Sequence, residues 1–323
     1  MKSKRLKVSA LLVLLAAWLA IAGYGYTQTR PSSSEKNQLT RVVIGYQKAD
    51  PADISRQHGE LVKKMKKAGY QVVFKEFQDG AALMTALKSG NINYARLGDT
   101  PPVVNQANGL DLVYIGAGAS KEYGTGVLVK KNSGINTLAD LKGKRIAYAK
   151  GTAAQFAIIQ TLAKAGLALN DVKLVNMDQG AASVAFAKGS VDAWVTWDPY
   201  TATAQVQQNA KLLTNAKGLA KNRDFVVSTR SYATKHKAIS KALIKYMGQD
   251  MAWARTHHTQ LINMLSKTLK LSKPIIKLDV ERRTYSMTPV TDAIVQEQQK
   301  IADVFYEQGL IKKKIQVKDA LLK

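Results

Sequence analysis

Residues 191–200 read Val-Asp-Ala-Trp-Val-Thr-Trp-Asp-Pro-Tyr, a β-like run that carries two tryptophans and stops on Asp-Pro. Val191, Ala193, Val195 and Trp197 alternate with Asp192, Trp194, Thr196 and Asp198. A period of two is that of a strand, and bulk on both faces is that of a strand buried on two sides. Asp198 before Pro199 reads as a helix start: an Asp side chain accepts from the first free amides, and proline at the first helical position has no N–H to leave unpaired. The spacing predicts a buried strand passing straight into a helix. In open α/β sheets ligands bind at such junctions, outside the carboxyl ends of the strands, where an anion meets unpaired helix amides.

The rest of the chain repeats this grammar. Residues 41–46 and 71–77 are strand-like around a helix near 57–68 that Gly69 ends, followed by a helix over 81–88, a strand at 93–97, a helix after Pro101-Pro102 and an apolar run at 112–115. A second set begins near Leu138, with a strand at 145–149, a helix over 152–165, a strand at 172–176 and a helix over 181–187 that leads into the opening strand. Beyond about Ser231 the chain reads as mainly helical. This alternation predicts βαβ units and a mostly parallel sheet. An internal echo points to two related lobes: Gly80-Ala81-Ala82 opens a helix closed by Lys88-Ser89-Gly90, and Gly180-Ala181-Ala182 opens one closed by Ala187-Lys188-Gly189. Each then runs through a strand to an acidic helix start, Gly98-Asp99-Thr100-Pro101 in one and Trp197-Asp198-Pro199 in the other.

The chain has 323 residues, 46% of them hydrophobic, enough for two moderate cores. Its net charge of +25 favours anionic partners, here a membrane or an anionic cell-envelope surface. The lysines lack the aromatic interleaving of a nucleic-acid platform, so no nucleic acid is expected. There is no cysteine, which excludes disulfides, thiolate metal sites and cysteine nucleophiles. Lys2, Lys4, Arg5 and Lys7 precede an apolar run over 8–22, the two parts of an export signal. Residues 1–26 are expected to be a signal peptide or signal anchor and 27–40 a linker, putting the protein outside the cytoplasm. Tyr24 stands where a lipobox would need its cysteine, so anchoring through a lipidated cysteine is excluded.

Ile44-Gly45-Tyr46-Gln47-Lys48, Gly98-Asp99-Thr100-Pro101-Pro102, residues 111–116 (DLVYIG), residues 138–144 (LADLKGK), Lys150-Gly151-Thr152, and Val191-Asp192-Ala193-Trp194 with Trp197-Asp198-Pro199-Tyr200 resemble, in order, the aliphatic sulfonate-binding proteins of ABC importers. The likeness runs from Arg41 to the C-terminus, where residues 302–307 (ADVFYE) are similar to the family's last helix. The resemblance implies an α/β, type II periplasmic-binding-protein fold. Its two lobes would comprise 41–128 with 229–323, including a helical C-terminal region, and 129–228. The crossovers would lie near 127–131 and 225–230, with the ligand held in a closing cleft. It implies no enzyme activity and no cofactor, and as partners a small-molecule anion, an ABC permease and its ATPase. Two departures stand out. Lys150-Gly151-Thr152-Ala153-Ala154 replaces a run of serines after Lys-Gly, and Arg96-Leu97-Gly98-Asp99 replaces Ser-Thr-Gly-Asp, which predicts a less polar pocket that relies on backbone amides.

A sulfonate is a strong-acid anion that needs donors and no proton transfer. The helix starts at Gly98, Asp99 and Thr100, at Gly151, Thr152 and Ala153, and at Trp197 and Asp198 would surround it, with Gln47 donating from the end of the first strand and Trp197 and Tyr200 walling the organic tail. Asp198, Asp99 and Thr100 are equally readable as helix caps, and Trp194 as core. His58, His236, His257 and His258 are scattered, and the adjacent pair diverges by about 100° on a helix, so no metal site and no catalytic residue is expected. The alternatives are a binding protein for taurine, nitrate or another small organic solute, an enzyme like those of thiamine-pyrimidine synthesis, and a basic surface-adhesion protein.

Overall fold

The computed structural model describes residues 39–77 and 80–322; the expected signal and nearly all of the expected linker lie outside them. Val42, Val43 and Ile44 build β1 (Thr40–Tyr46), buried from its third residue on. Asp50 then caps α1 (Pro51–His58), its carboxylate accepting from the Asp53 amide at 2.8 Å, with proline at the first helical position. The single helix expected over 57–68 is broken by Gly59, whose φ of 82° ends α1 and starts α2 (Glu60–Lys67). The first half continues through β2 (Tyr70–Glu76), α3 (Gly80–Lys88), β3 (Tyr94–Gly98), α4 (Thr100–Ala107) and β4 (Leu112–Gly118).

The second half holds β5 (Gly126–Lys130), β6 (Arg145–Tyr148), α5 (Ala153–Lys164), β7 (Lys173–Asn176), α6 (Gln179–Ala187), β8 (Ala193–Thr196), α7 (Tyr200–Gln207) and β9 (Ala210–Asn215). The chain then returns through β10 (Asp224–Thr229) to α8 (Arg230–Lys235), α9 (Lys237–Thr256), α10 (His258–Leu269), α11 (Lys273–Glu281), β11 (Met287–Thr288) and α12 (Asp292–Glu307).

Two sheets form the two lobes, in the orders β11-β4-β10-β3-β1-β2 and β7-β6-β8-β5-β9. Both are mixed rather than mostly parallel. β1 pairs with β3, and β6 with β7 and β8, in parallel, whereas β10 and β5 run against their neighbours. The expected crossovers near 127–131 and 225–230 fall largely on β5 and β10; the chain changes sheet at 119–125 and returns at 216–223. The internal echo is real in space: β4-β10-β3-β1-β2 of one sheet matches β9-β5-β8-β6-β7 of the other. The C-terminal stretch also returns to the first sheet, Leu321 bridging Tyr114 of β4.

The register places the site. Gly98 of β3 faces Asp224, and Met287 faces Gly118, so β3, β4 and the parallel β1 end at one edge. In the other sheet Thr196 of β8 faces Gly126, and β6 runs parallel to β8. The crossovers therefore join the carboxyl edges of the two sheets. They are laced to each other: Glu122 accepts from Lys221 Nζ at 2.9 Å, the Lys121 amide donates to Lys221 O at 2.8 Å, and Asn222 Nδ2 donates to Thr125 Oγ1 at 2.9 Å.

Candidate functional site

At the end of β8, Trp194 and Trp197 separate as the alternation requires. Trp194 is fully buried, its indole N–H donating to Gln179 Oε1 at 3.1 Å. Trp197 lines a narrow space with Lys121, Gly124, Asp198 and Arg283. Asp198 accepts from the Ala202 amide at 3.0 Å, which keeps its capping role, although Pro199 and not Asp198 occupies the cap position of α7. Gly124 is required here, because a Cβ on it would collide with the Asp198 carboxylate. Tyr200 is not among the residues lining this space: it is exposed, and its ring stands edge-on to Trp194 at 5.9 Å.

The neighbouring turn, after β6, belongs to Gly151 with φ 72°. Its amide is committed to Gln155 Oε1 at 2.7 Å, and the Thr152 hydroxyl donates to Ala149 O at 2.7 Å while accepting from Ala154. The Thr152 and Ala153 amides make no hydrogen bond among the described residues. Across the cleft, Thr100 donates to Asp99 Oδ1 at 3.0 Å, so its hydroxyl is committed as well; Asp99 and Thr100 are both buried. At the end of β1 the Gln47 amide donates to Asp50 Oδ2 at 2.7 Å.

Charged side chains gather at the strand ends beside the turns that were expected to hold the solute. Leu97 alternates away from the cleft into the core, whereas Arg96 on the opposite face pairs with Asp224 and lies 3.5 Å from Asp50. Lys121 reaches Asp224 at 2.5 Å, Arg282 reaches Asp198 at 3.1 Å, and Arg283 lies 3.7 Å from Asp279. The cations and carboxylates are nearly matched in number, as buried charges must be. Burial dominates their titration: it pushes Asp50 up to about 6 against the pull of Arg96, and lowers Arg96 to about 10. Burial first, and the Asp279 carboxylate next, push Asp198 up to about 7. Burial also lowers the Lys121 ammonium, with Arg96 and Arg283 adding to the effect.

Sequence reasoning missed Asp50, Lys121, Asp224, Arg282 and Arg283. Asp50-Pro51 at the end of β1 carries the same strand-then-Asp-Pro signal as Asp198-Pro199 and was legible; Arg282-Arg283, the sole Arg-Arg pair of the chain, offers no periodic signal. Arg282 also bridges the lobes, its Nη1 donating to Gln205 Oε1 at 3.0 Å on α7.

Residues 65–260 match the model of a family described as NMT1/THI5 like. A relative from Escherichia coli named for binding aliphatic sulfonates is 32% identical over 304 residues, covering 94% of this chain and 95% of its own. The crystal structure of the periplasmic aliphatic sulphonate binding protein SsuA from E. coli superposes with a TM-score of 0.82 at 32% identity, over 87% of this chain and 97% of that one. The alkanesulfonate-binding protein SsuA from Xanthomonas axonopodis pv. citri, bound to MOPS, also gives 0.82 at 32% identity, over 88% and 98%.

Proposed function

From the premise that this chain belongs to the NMT1/THI5-like family, we propose that it is an extracytoplasmic solute-binding protein that captures an aliphatic sulfonate between its lobes and delivers it to an ABC permease and its ATPase. The observation that carries the reading is the meeting of Trp197 with Lys121 and Arg283 around one space at the carboxyl edges of both sheets. A sulfonate remains ionised at any physiological pH, so it needs positive potential and N–H donors, and its alkyl tail needs an apolar wall. Lys121 and Arg283 supply the potential, the Thr152 and Ala153 amides the donors, and the Trp197 ring the wall. Gln47, Gly98, Asp99, Thr100, Gly151 and Asp198 then act chiefly as the frame, since most of their polar groups already hold the turns in shape. Tyr200 contributes by supporting Trp194 rather than by touching solute.

The crossovers act as the hinge between the lobes, taken as residues 41–118 with 224–322 and residues 126–215. Micromolar capture corresponds to about −8 kcal/mol, within reach of a few charge-assisted bonds of roughly 1.5–3 kcal/mol each after the cost of association.

Thermal unfolding with a panel of alkanesulfonates, taurine, nitrate and sulfate tests this. A ligand at 100 times its Kd adds about 2.7 kcal/mol, a rise of several degrees in Tm. The rise is expected with alkanesulfonates; a flat response to them beside a rise with another solute would keep the transport role and reject the cargo.

A further inference from the structure

We propose that the outer helical face of the first lobe, along the seam of α2 and α9, is a docking surface for an anionic phospholipid bilayer. Across α1, α2, α8, α9 and α10 the exposed charged side chains are lysines and arginines, with Glu60 of α2 the one exposed carboxylate among them. The other two carboxylates of these helices are withdrawn, Asp53 buried against Arg56 and Asp250 against His58, while Glu60 is paired with Lys63 at 2.8 Å on the surface. On α9, Lys241, Lys245 and Gln249 follow one another at four-residue spacing and share a ridge. Lys64 of α2 donates to Gln249 Oε1 at 2.7 Å, which sets Lys63 and Lys67, one turn apart, beside that ridge.

These helices are held to the lobe by apolar contacts, not by Lys67, Lys241 or Lys245. Leu61 and Met65 hold α2, and Leu243, Ile244, Met247 and Met251 hold α9, through apolar contacts around Val42 and Ile44. Concentrated positive charge opposes folding by self-repulsion, so its one-sided display points outward. Lysines strung along two neighbouring helices match an array of headgroups rather than a single small anion. A bilayer is the occupant favoured by the chain itself, whose apolar run over 8–22, led by Lys2, Lys4, Arg5 and Lys7, reads as addressed to a membrane and whose lack of cysteine excludes anchoring through a lipidated cysteine. The face lies on the flank of the sheet while the cleft lies at the strand ends, so both can be engaged together.

The test measures partitioning of the full chain onto phosphatidylcholine vesicles with and without phosphatidylglycerol. One variant carries Lys63→Glu, Lys67→Glu, Lys241→Glu and Lys245→Glu; a control of equal charge carries Lys188→Glu, Lys312→Glu, Lys313→Glu and Lys314→Glu. The apolar run is common to all three proteins. At about 1 kcal/mol per surface lysine, the face variant should lose on the order of a hundredfold or more in partition coefficient on the anionic vesicles. The control should stay within a few fold. Equal losses in both variants, or equal binding of the unaltered chain to the two vesicle types, would overturn the proposal. Complete displacement by soluble polyphosphate at matched charge would instead assign the face to an anionic polymer and also overturn it. Because the chain has no cysteine, a second measurement is independent of variant folding: a polarity-sensitive dye on Lys245→Cys should report lipid contact and the same dye on Lys188→Cys should not, and the opposite order would reject the face.

Discussion

Asp198 is read by the chain twice, as the acceptor that steadies the first turn of α7 and as the partner of Arg282. Its carboxyl sits at about 7 in the fold, pushed there by burial and by Asp279, against about 3.9 in an unfolded chain. The folded state therefore binds the proton more tightly. The stability this contributes is fully present below about pH 4 and is lost as pH rises through 7. Unfolding the unaltered chain and Asp198→Asn at several pH values should show the advantage of the unaltered chain shrinking between pH 4 and 7; an advantage that grows over that window would contradict the assignment. At this scale the sequence disclosed what is local. Asp198, Trp197, Thr152 and Asp99 announce themselves by neighbours within three positions. Lys121, Asp224 and Arg283 enter the cleft through pairing between segments more than a hundred residues apart or through a chain end returning, and no local pattern records that.

β8 shows how one element divides two duties between its faces. Trp194 packs against Phe186 and Tyr200 with centroids at 6.0 and 5.9 Å, whereas Trp197 faces the cleft. Trp194→Ala should cost about 3–5 kcal/mol of stability, measured by urea unfolding, and leave solute affinity of the folded fraction intact. Trp197→Ala should do the reverse, weakening alkanesulfonate binding at least tenfold in calorimetry with a smaller loss of stability. The elements themselves were legible where period and punctuation agree, as in β1, α5, α6 and β8. β5, β9 and β10 were not, because their direction is set by partners: Val127 pairs with Val195 and Thr214, and Val226 with Arg96 and Gly116. A five- or six-residue apolar run has the same local pattern whether it serves as a linker or as a strand. The helix expected over 57–68 took no account of Gly59, whose left-handed backbone splits it.

For the molecule as a whole, the lobes are related by one strand order and joined by two crossovers that hydrogen-bond to each other, with Arg282 reaching across to Asp198 and Gln205. Arg282→Ala strips Asp198 of its cation while leaving both crossovers intact. Small-angle scattering should then find a larger radius of gyration for the solute-free variant than for the unaltered chain, returning toward the original value when an alkanesulfonate is added. An unchanged radius would confine Arg282 to a local role.

The return of Leu321 to β4 ties the last described residues to the first sheet. A label beside Leu321 thus reports on the first lobe while the second moves untouched. A donor fluorophore attached beyond Leu321 and an acceptor at exposed Val184 on α6 would convert each capture event into a change of energy transfer, making the chain a reagentless sensor whose readout needs no alteration of the cleft.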